Sequence, residues 1–170
     1  SLIKTTRDEV VASLTTHGAV CGSACTFLLV GAVTRDVAPD AAVAVHGPKV
    51  WMEFRLNVNE MRREEAIAKA HGEAERLAYA YVDEMGISRE LIALAVSIRH
   101  ENLQVLTWQE LDRFGIDTRD FVESAWTLEK APRPSIRKMA HVRHSDGFRR
   151  LEWQLLCESN MHARLVFVDA

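Results

Sequence analysis

The chain has 170 residues, 48% of them hydrophobic, and a formal net charge of −3. That length and apolar content suffice for one domain with a proper core and a small appendage. The slightly acidic balance argues against a general nucleic-acid binder, and no apolar run reaches the ~20 residues that cross a bilayer as a helix. Charge is uneven, with 14 Lys+Arg against 20 Asp+Glu in residues 1–130 and 7 against 4 in residues 131–170. The C-terminal part therefore reads as a separate basic unit with a solvated charged face.

In chain order, Ile3, Val10, Val11 and Leu14 recur at helical spacing around Thr6-Arg7-Asp8-Glu9 and predict a first helix that ends at Gly18, with His17 favoured by its C-terminal dipole. Residues 19–21 read as a strand, 26–32 as a short helix, 36–40 as a Pro-containing connection and 41–46 as a second strand. Such strand-helix-strand alternation predicts a crossover unit and a mainly parallel sheet. Residues 47–54 read as a loop over the site. A long helix follows over residues 57–85, with Gly72 as a kink point and Gly86 as its stop. Ser88 caps a helix running to Val96, and Thr107-Trp-Gln-Glu110 is a capping box for a short helix closed by Gly115. Pro132 and Pro134 mark a linker. Beyond it, strands over 136–144, 148–157 and 161–168, separated by Ser145-Asp146-Gly147 and Glu158-Ser159-Asn160 turns, predict a three-stranded antiparallel meander.

The chemistry concentrates in residues 18–46, where an apolar strand stops at Cys21-Gly22-Ser23, a helix begins at once, and the next strand ends on His46. Small neighbours (Gly22, Ala24) allow a tight bend that exposes Ser23 Oγ, making it a candidate nucleophile with His46 as general base. The Ala24 amide, at the positive end of the helix, faces any charge that develops on a bound carbonyl. Both residues also have a plainer reading: a serine after glycine caps a helix, and a histidine ending a strand is a satisfied core residue. Cys21 and Cys25 read first as small residues packed around the turn, with a disulfide in an oxidising compartment as the alternative. His71 and His100 fall in charged text and read as exposed. His141, His144, His162 and Cys157 could meet in the meander but lack zinc-ligand spacing, so neither a metal nor a cofactor is expected.

The order Cys21-Gly22-Ser23-Ala24-Cys25-Thr26, then Gly31, Arg35 and Val37-Ala38-Pro39, then Ala42-Val43-Ala44-Val45-His46, resembles the Clp protease proteolytic subunit, and more closely its bacterial secreted relatives in the Clp/crotonase superfamily. Gly86-Ile87-Ser88-Arg89-Glu90-Leu91-Ile92, Leu106-Thr107-Trp108-Gln109-Glu110-Leu111 and Phe114-Gly115-Ile116 resemble that family's closing segment, so the likeness covers the first two thirds of the chain. It implies a Clp/crotonase-like α/β domain over 1–130, cut close to its N-terminus because the Gly-Gly loop carrying the other oxyanion amide would precede Ser1, with linker and meander over 131–170. It implies a periplasmic or secreted location, and long-helix contacts in a homo-oligomer. The aspartate that orients the family's histidine falls here at Leu103, with Glu101 and Asn102 the nearest substitutes in sequence. The function expected is a peptidase-like serine hydrolase acting through a Ser23–His46 dyad on a peptide or acyl substrate. The alternatives are a non-catalytic binding protein of the cell envelope on the same fold and, third, a crotonase-like acyl-CoA enzyme, against which the Ser-His pair argues.

Overall fold

The structure, a computed structural model, describes residues 2–4, 10–14, 18–54, 59–130, 134–159 and 162–169. Its first elements are β1 (Leu2–Lys4) and β2 (Val10–Leu14), an antiparallel pair where the apolar spacing predicts a helix. Residues Thr6–Glu9 and His17 of that expectation lie outside the described residues. β2 gains a parallel partner in β4 (Thr34–Val37), from Val11↔Thr34 to Leu14↔Val37. The β-branched pair Val10-Val11 suits that ladder, and so short a segment cannot hold a helix by spacing alone.

The segment that carries the site follows the strand-helix-strand pattern: β3 (Val20–Gly22), α1 (Ala24–Val30) and β5 (Ala42–Val45), with β3 and β5 parallel. The expected mainly parallel Clp/crotonase-like sheet is nevertheless not what forms. Of the eight strand pairings among the described residues six are antiparallel, and the two parallel ones, β2–β4 and β3–β5, belong to different sheets. A parallel ladder requires a long crossover. Further along the chain β6 (Gln104–Val105) returns antiparallel beside β5, and hairpins build the largest sheet.

Among the described residues there are four helices, of which α1 packs on the site-bearing strands β3 and β5. α2 (Glu60–Glu84) starts at Asn59, whose side chain accepts from the Arg62 amide, and runs through Gly72 unbroken. Of its residues only Val82 is fully buried, while Met61 and Leu77 are exposed. α3 (Glu90–Ser97) buries Leu91, Ile92 and Ala95. α4 (Trp108–Arg113) carries the reciprocal Thr107–Glu110 capping box and ends before Gly115, whose φ of 78° suits glycine. These elements meet in one core with Val30, Val37, Val43, Phe114 and Ile116. Arg35 ties three helix ends together: its guanidinium donates to Val30 O, Met85 O and Gly115 O, the C-terminal ends where carbonyls lack partners. Tyr81 Oη donates to Phe27 O and fixes α1 to α2.

The C-terminal sheet has the order β11–β10–β9–β7, with β8 also on β9, for β7 (Phe121–Glu123), β8 (Thr127–Glu129), β9 (Ser135–His144), β10 (Gly147–Ser159) and β11 (His162–Asp169). β9 and β10 form a hairpin across Ser145-Asp146, with Gly147 at φ 137°. β7 and β8 precede the expected boundary at residue 130, yet they pair with β9, so the sheet continues across it. It docks on α4 through His141 stacked on Trp108, Phe148 beside the same indole, and Arg143 paired with Asp112.

Candidate active site

A strand that must turn at once into a helix needs a residue with unusual dihedrals at the corner. Ser23 is that residue: φ is 58° and ψ −123°, and among the described residues it is the one non-glycine with positive φ. That ψ is far from the left-handed helical well, so an L side chain holds this conformation only when its surroundings impose it. Ser23 N–H donates to Ala44 O at 3.1 Å, extending the β3–β5 ladder into the corner. The buried Thr26 hydroxyl reaches the same carbonyl at 2.9 Å and Cys21 O at 3.2 Å, locking the first turn of α1 to both strands.

Cys21 and Cys25 are bridged across this corner, with Cα atoms 5.2 Å apart. The packed-thiol reading is therefore corrected in favour of the disulfide alternative: the bend brings the two Cα atoms inside the ~4.4–6.8 Å window that disulfides use. The helix-cap reading of Ser23 fails as well. Its side chain makes no cap hydrogen bond, and its backbone lies outside the extended region that capping requires. Oγ is thus uncommitted, and no acceptor for the Ala24 N–H occurs among the described residues.

His46 follows β5 and is half-buried. Its Nδ1 lies 2.7 Å from Gly47 O, and a carbonyl only accepts, so Nδ1 carries the proton and Nε2 of the neutral ring is a bare acceptor. That tautomer is the one a general base needs. His100 packs edge-on against His46 with ring centroids 4.6 Å apart, and its own Nδ1 lies 3.3 Å from Gly47 O. Gly47 is buried; its N–H donates to Ile98 O, and a Cβ there would come within 2.6 Å of that oxygen.

Ser23, Ala24 and His46 line one cleft of about 280 Å³ between β5, α1, α2 and α3. Its walls are otherwise largely apolar, with Phe27, Ala78, Leu91 and Ile92 among them, and Pro48 of the loop over residues 47–54 closes one side. No hydrogen bond joins Ser23 Oγ to His46 among the described residues. The structure does not bring Glu101 or Asn102 into the cleft: Glu101 is exposed and faces Arg99 at 4.0 Å, and Asn102 lines a separate shallow groove with Leu103. Leu103 does lie at the corner. It would touch a Cβ placed on Gly22, and extending the Val45↔Gln104 register by one residue sets it across from His46. Among the described residues the His46 Nδ1 partner is thus a backbone carbonyl and not a carboxylate.

Sequence reasoning missed three groups here. Gly47 beside His46 is a signal only once its close approach to Ile98 is known, His100 is exposed as its charged surroundings predict but also packs on His46, and Glu75 of α2 lines the cleft from within charged helical text. The histidines of the meander do not converge. His141 stacks on Trp108 with Nε2 at Pro39 O, and burial pushes its pKa down, whereas His144 sits at the β9–β10 turn beside Asp146. Cys157 and His162 lie toward the other end of β10, and no group of metal-ligating side chains occurs among the described residues. No helix is long and apolar enough to cross a membrane among the described residues. Comparison with family models, curated proteins and solved structures finds no match to this chain.

Proposed function

We propose that the chain is a peptidase-like serine hydrolase that transfers an acyl group to water through Ser23 and His46. The observation that carries this reading is the backbone of Ser23: a non-glycine held at φ 58°, ψ −123° between a strand and a helix, with its hydroxyl committed to no partner among the described residues. A merely structural turn has no use for that strain, since glycine would fill the corner without it, whereas a nucleophile elbow needs a side chain thrust out of it.

In the reaction His46 Nε2 takes the Ser23 proton as Oγ attacks the carbonyl carbon, and the Ala24 N–H donates to the oxygen as it becomes anionic. The imidazolium then returns the proton to the leaving amine or alcohol. Water, deprotonated by the same nitrogen, then attacks the acyl carbon; the C–Oγ bond breaks, the imidazolium returns its proton to Ser23 Oγ, and the acid leaves. Gly47 O holds the tautomer throughout but adds no negative charge to stabilise imidazolium, so turnover is expected to be slow beside a full triad. Closure of the Ser23–His46 pair into a hydrogen bond accompanies substrate binding.

Kinship with Clp-type peptidases is part of this proposal, supported by the motif order and by Leu103, one step beyond the Val45↔Gln104 pair on the register that leads to His46, at the position where the family's aspartate is expected. A periplasmic or secreted location fits the Cys21–Cys25 disulfide, which persists in oxidising compartments. The test is labelling with a fluorophosphonate probe. Wild type should be modified, Ser23→Ala not at all, and His46→Ala far more slowly. Equal labelling of wild type and Ser23→Ala removes Ser23 from the chemistry; absence of labelling in every protein favours the non-catalytic binding alternative.

A further inference from the structure

An apolar cleft with one carboxylate in its wall is selective by charge as well as by shape. Glu75, on the α2 face it shares with Ala78, stands between the cleft that holds Ser23 and an adjoining groove and lines both, and it is half-buried. Ala74 and Ala78 are small, which opens space beside it. Neither an ion pair nor a hydrogen bond engages the Glu75 carboxylate among the described residues. The cations nearest in the adjoining groove have partners of their own: Arg76 is paired with Glu73 at 2.6 Å, and Arg89 sits at 3.8 Å from Asp83 with its guanidinium over the Tyr79 ring. Nor does Glu75 serve as the missing acid of a triad, because no hydrogen bond or ion pair joins it to His46 among the described residues and Nδ1 faces Gly47 O instead.

A half-buried carboxylate without a cation is poorly compensated, and a ligand that supplies the cation gains from the pairing. The remaining walls, from Phe27, Leu91, Ile92 and Val96, require that this cation arrive on an aliphatic stem. A volume of about 280 Å³ lies just below the ~300–1,000 Å³ range of ligand pockets, so it takes a single side chain and not an extended ligand. We infer that Glu75 determines the specificity of this cleft and that the substrate is a peptide or ester presenting a lysine-like side chain, an aliphatic stem ending in an ammonium, next to the carbonyl that Ser23 attacks. The inference rests on the reading of Ser23 as nucleophile for its chemistry, while the charge selection stands on the cleft alone.

The experiment compares Nα-acetyl-lysine and Nα-acetyl-norleucine in two formats: hydrolysis of their thiobenzyl esters by the wild-type chain, and binding of their methylamides to Ser23→Ala followed by NMR. Norleucine keeps the stem and drops the charge. Lysine should be preferred on the order of tenfold in both formats, since a half-buried pair is worth more than an exposed one and less than a fully desolvated one. Adding Glu75→Gln should bring the ratio close to one, chiefly through KM, and Glu75→Asp should retain part of it. Lysine preference in binding without hydrolysis of either ester upholds the selective cleft and defeats the hydrolase reading. Equal treatment of the two side chains in binding, a preference that survives Glu75→Gln, or no binding of either methylamide overturns the inference even where Ser23 labels and hydrolyses.

Discussion

Replacing Ser23 by glycine and by alanine separates backbone strain from side-chain chemistry. Both substitutions remove Oγ, so both should abolish fluorophosphonate labelling. They differ in what the corner costs. Alanine keeps a Cβ at φ 58°, ψ −123°, a conformation whose penalty for a non-glycine residue is about 1–3 kcal/mol, whereas glycine adopts it freely. Against that relief stands the greater backbone entropy that glycine loses on folding, roughly 0.5–1 kcal/mol relative to alanine. Taking about 2 kcal/mol of relief and about 0.7 of loss, Ser23→Gly should exceed Ser23→Ala in stability by about 1 kcal/mol. For a chain of 170 residues that is a rise in Tm of about 3 °C. The assay is urea and thermal denaturation of the two variants and wild type, with the Cys21–Cys25 disulfide intact in all three. A glycine variant no more stable than the alanine variant would refute the argument, because the corner would then carry no strain for function to explain.

Four further outcomes follow from the same geometry. Gly47→Ala forces a Cβ to 2.6 Å from the Ile98 carbonyl, so the end of β5 must move away from α3; a loss of about 2 kcal/mol in denaturation and slower Ser23 labelling are expected, and unchanged labelling would show that Gly47 does not position His46. Leu103→Asp places a carboxylate across from His46 and should raise esterase turnover, while Glu101→Gln and Asn102→Ala should leave it alone; a drop on Leu103→Asp would count against a degraded triad at that position. Reducing the Cys21–Cys25 disulfide, whose partners are four residues apart, should cost about 2 kcal/mol by loop entropy and slow labelling of the serine between them. Finally, hydrogen bonding to Arg137 holds the Glu152 carboxyl below the usual glutamate range. Stability from this pair is complete above the ordinary glutamate pKa and is lost as pH falls through the depressed one, so Glu152→Gln should flatten the acid side of the stability profile, and an unchanged profile would show the pair contributes nothing.

Local signals survive wherever their partners lie within a few residues. The Thr107–Glu110 box, the glycine stops at 86 and 115 and the turn at Ser145-Asp146 all name structure that the chain forms almost regardless of its surroundings, since caps and tight turns are satisfied by neighbouring backbone. The strand-turn-helix at Ser23 belongs with them, because Gly22 and Ala24 admit the bend. Pairing partners are different in kind. Nothing near Val10-Val11 announces that Thr34–Val37 will lie beside it, and nothing in the alternation of residues 19–46 says that β3 and β4 enter different sheets or that β6 returns antiparallel. Those choices are settled by which apolar faces bury together, a property of the whole chain. The site divides along the same line. Ser23, Ala24 and His46 are legible as residue types at a recognisable spacing. The tautomer of His46, the bridge between Cys21 and Cys25 and the presence of Glu75 in the cleft depend on Gly47 O, on the angle of the bend and on the face α2 turns inward, and only the packed chain brings those groups together.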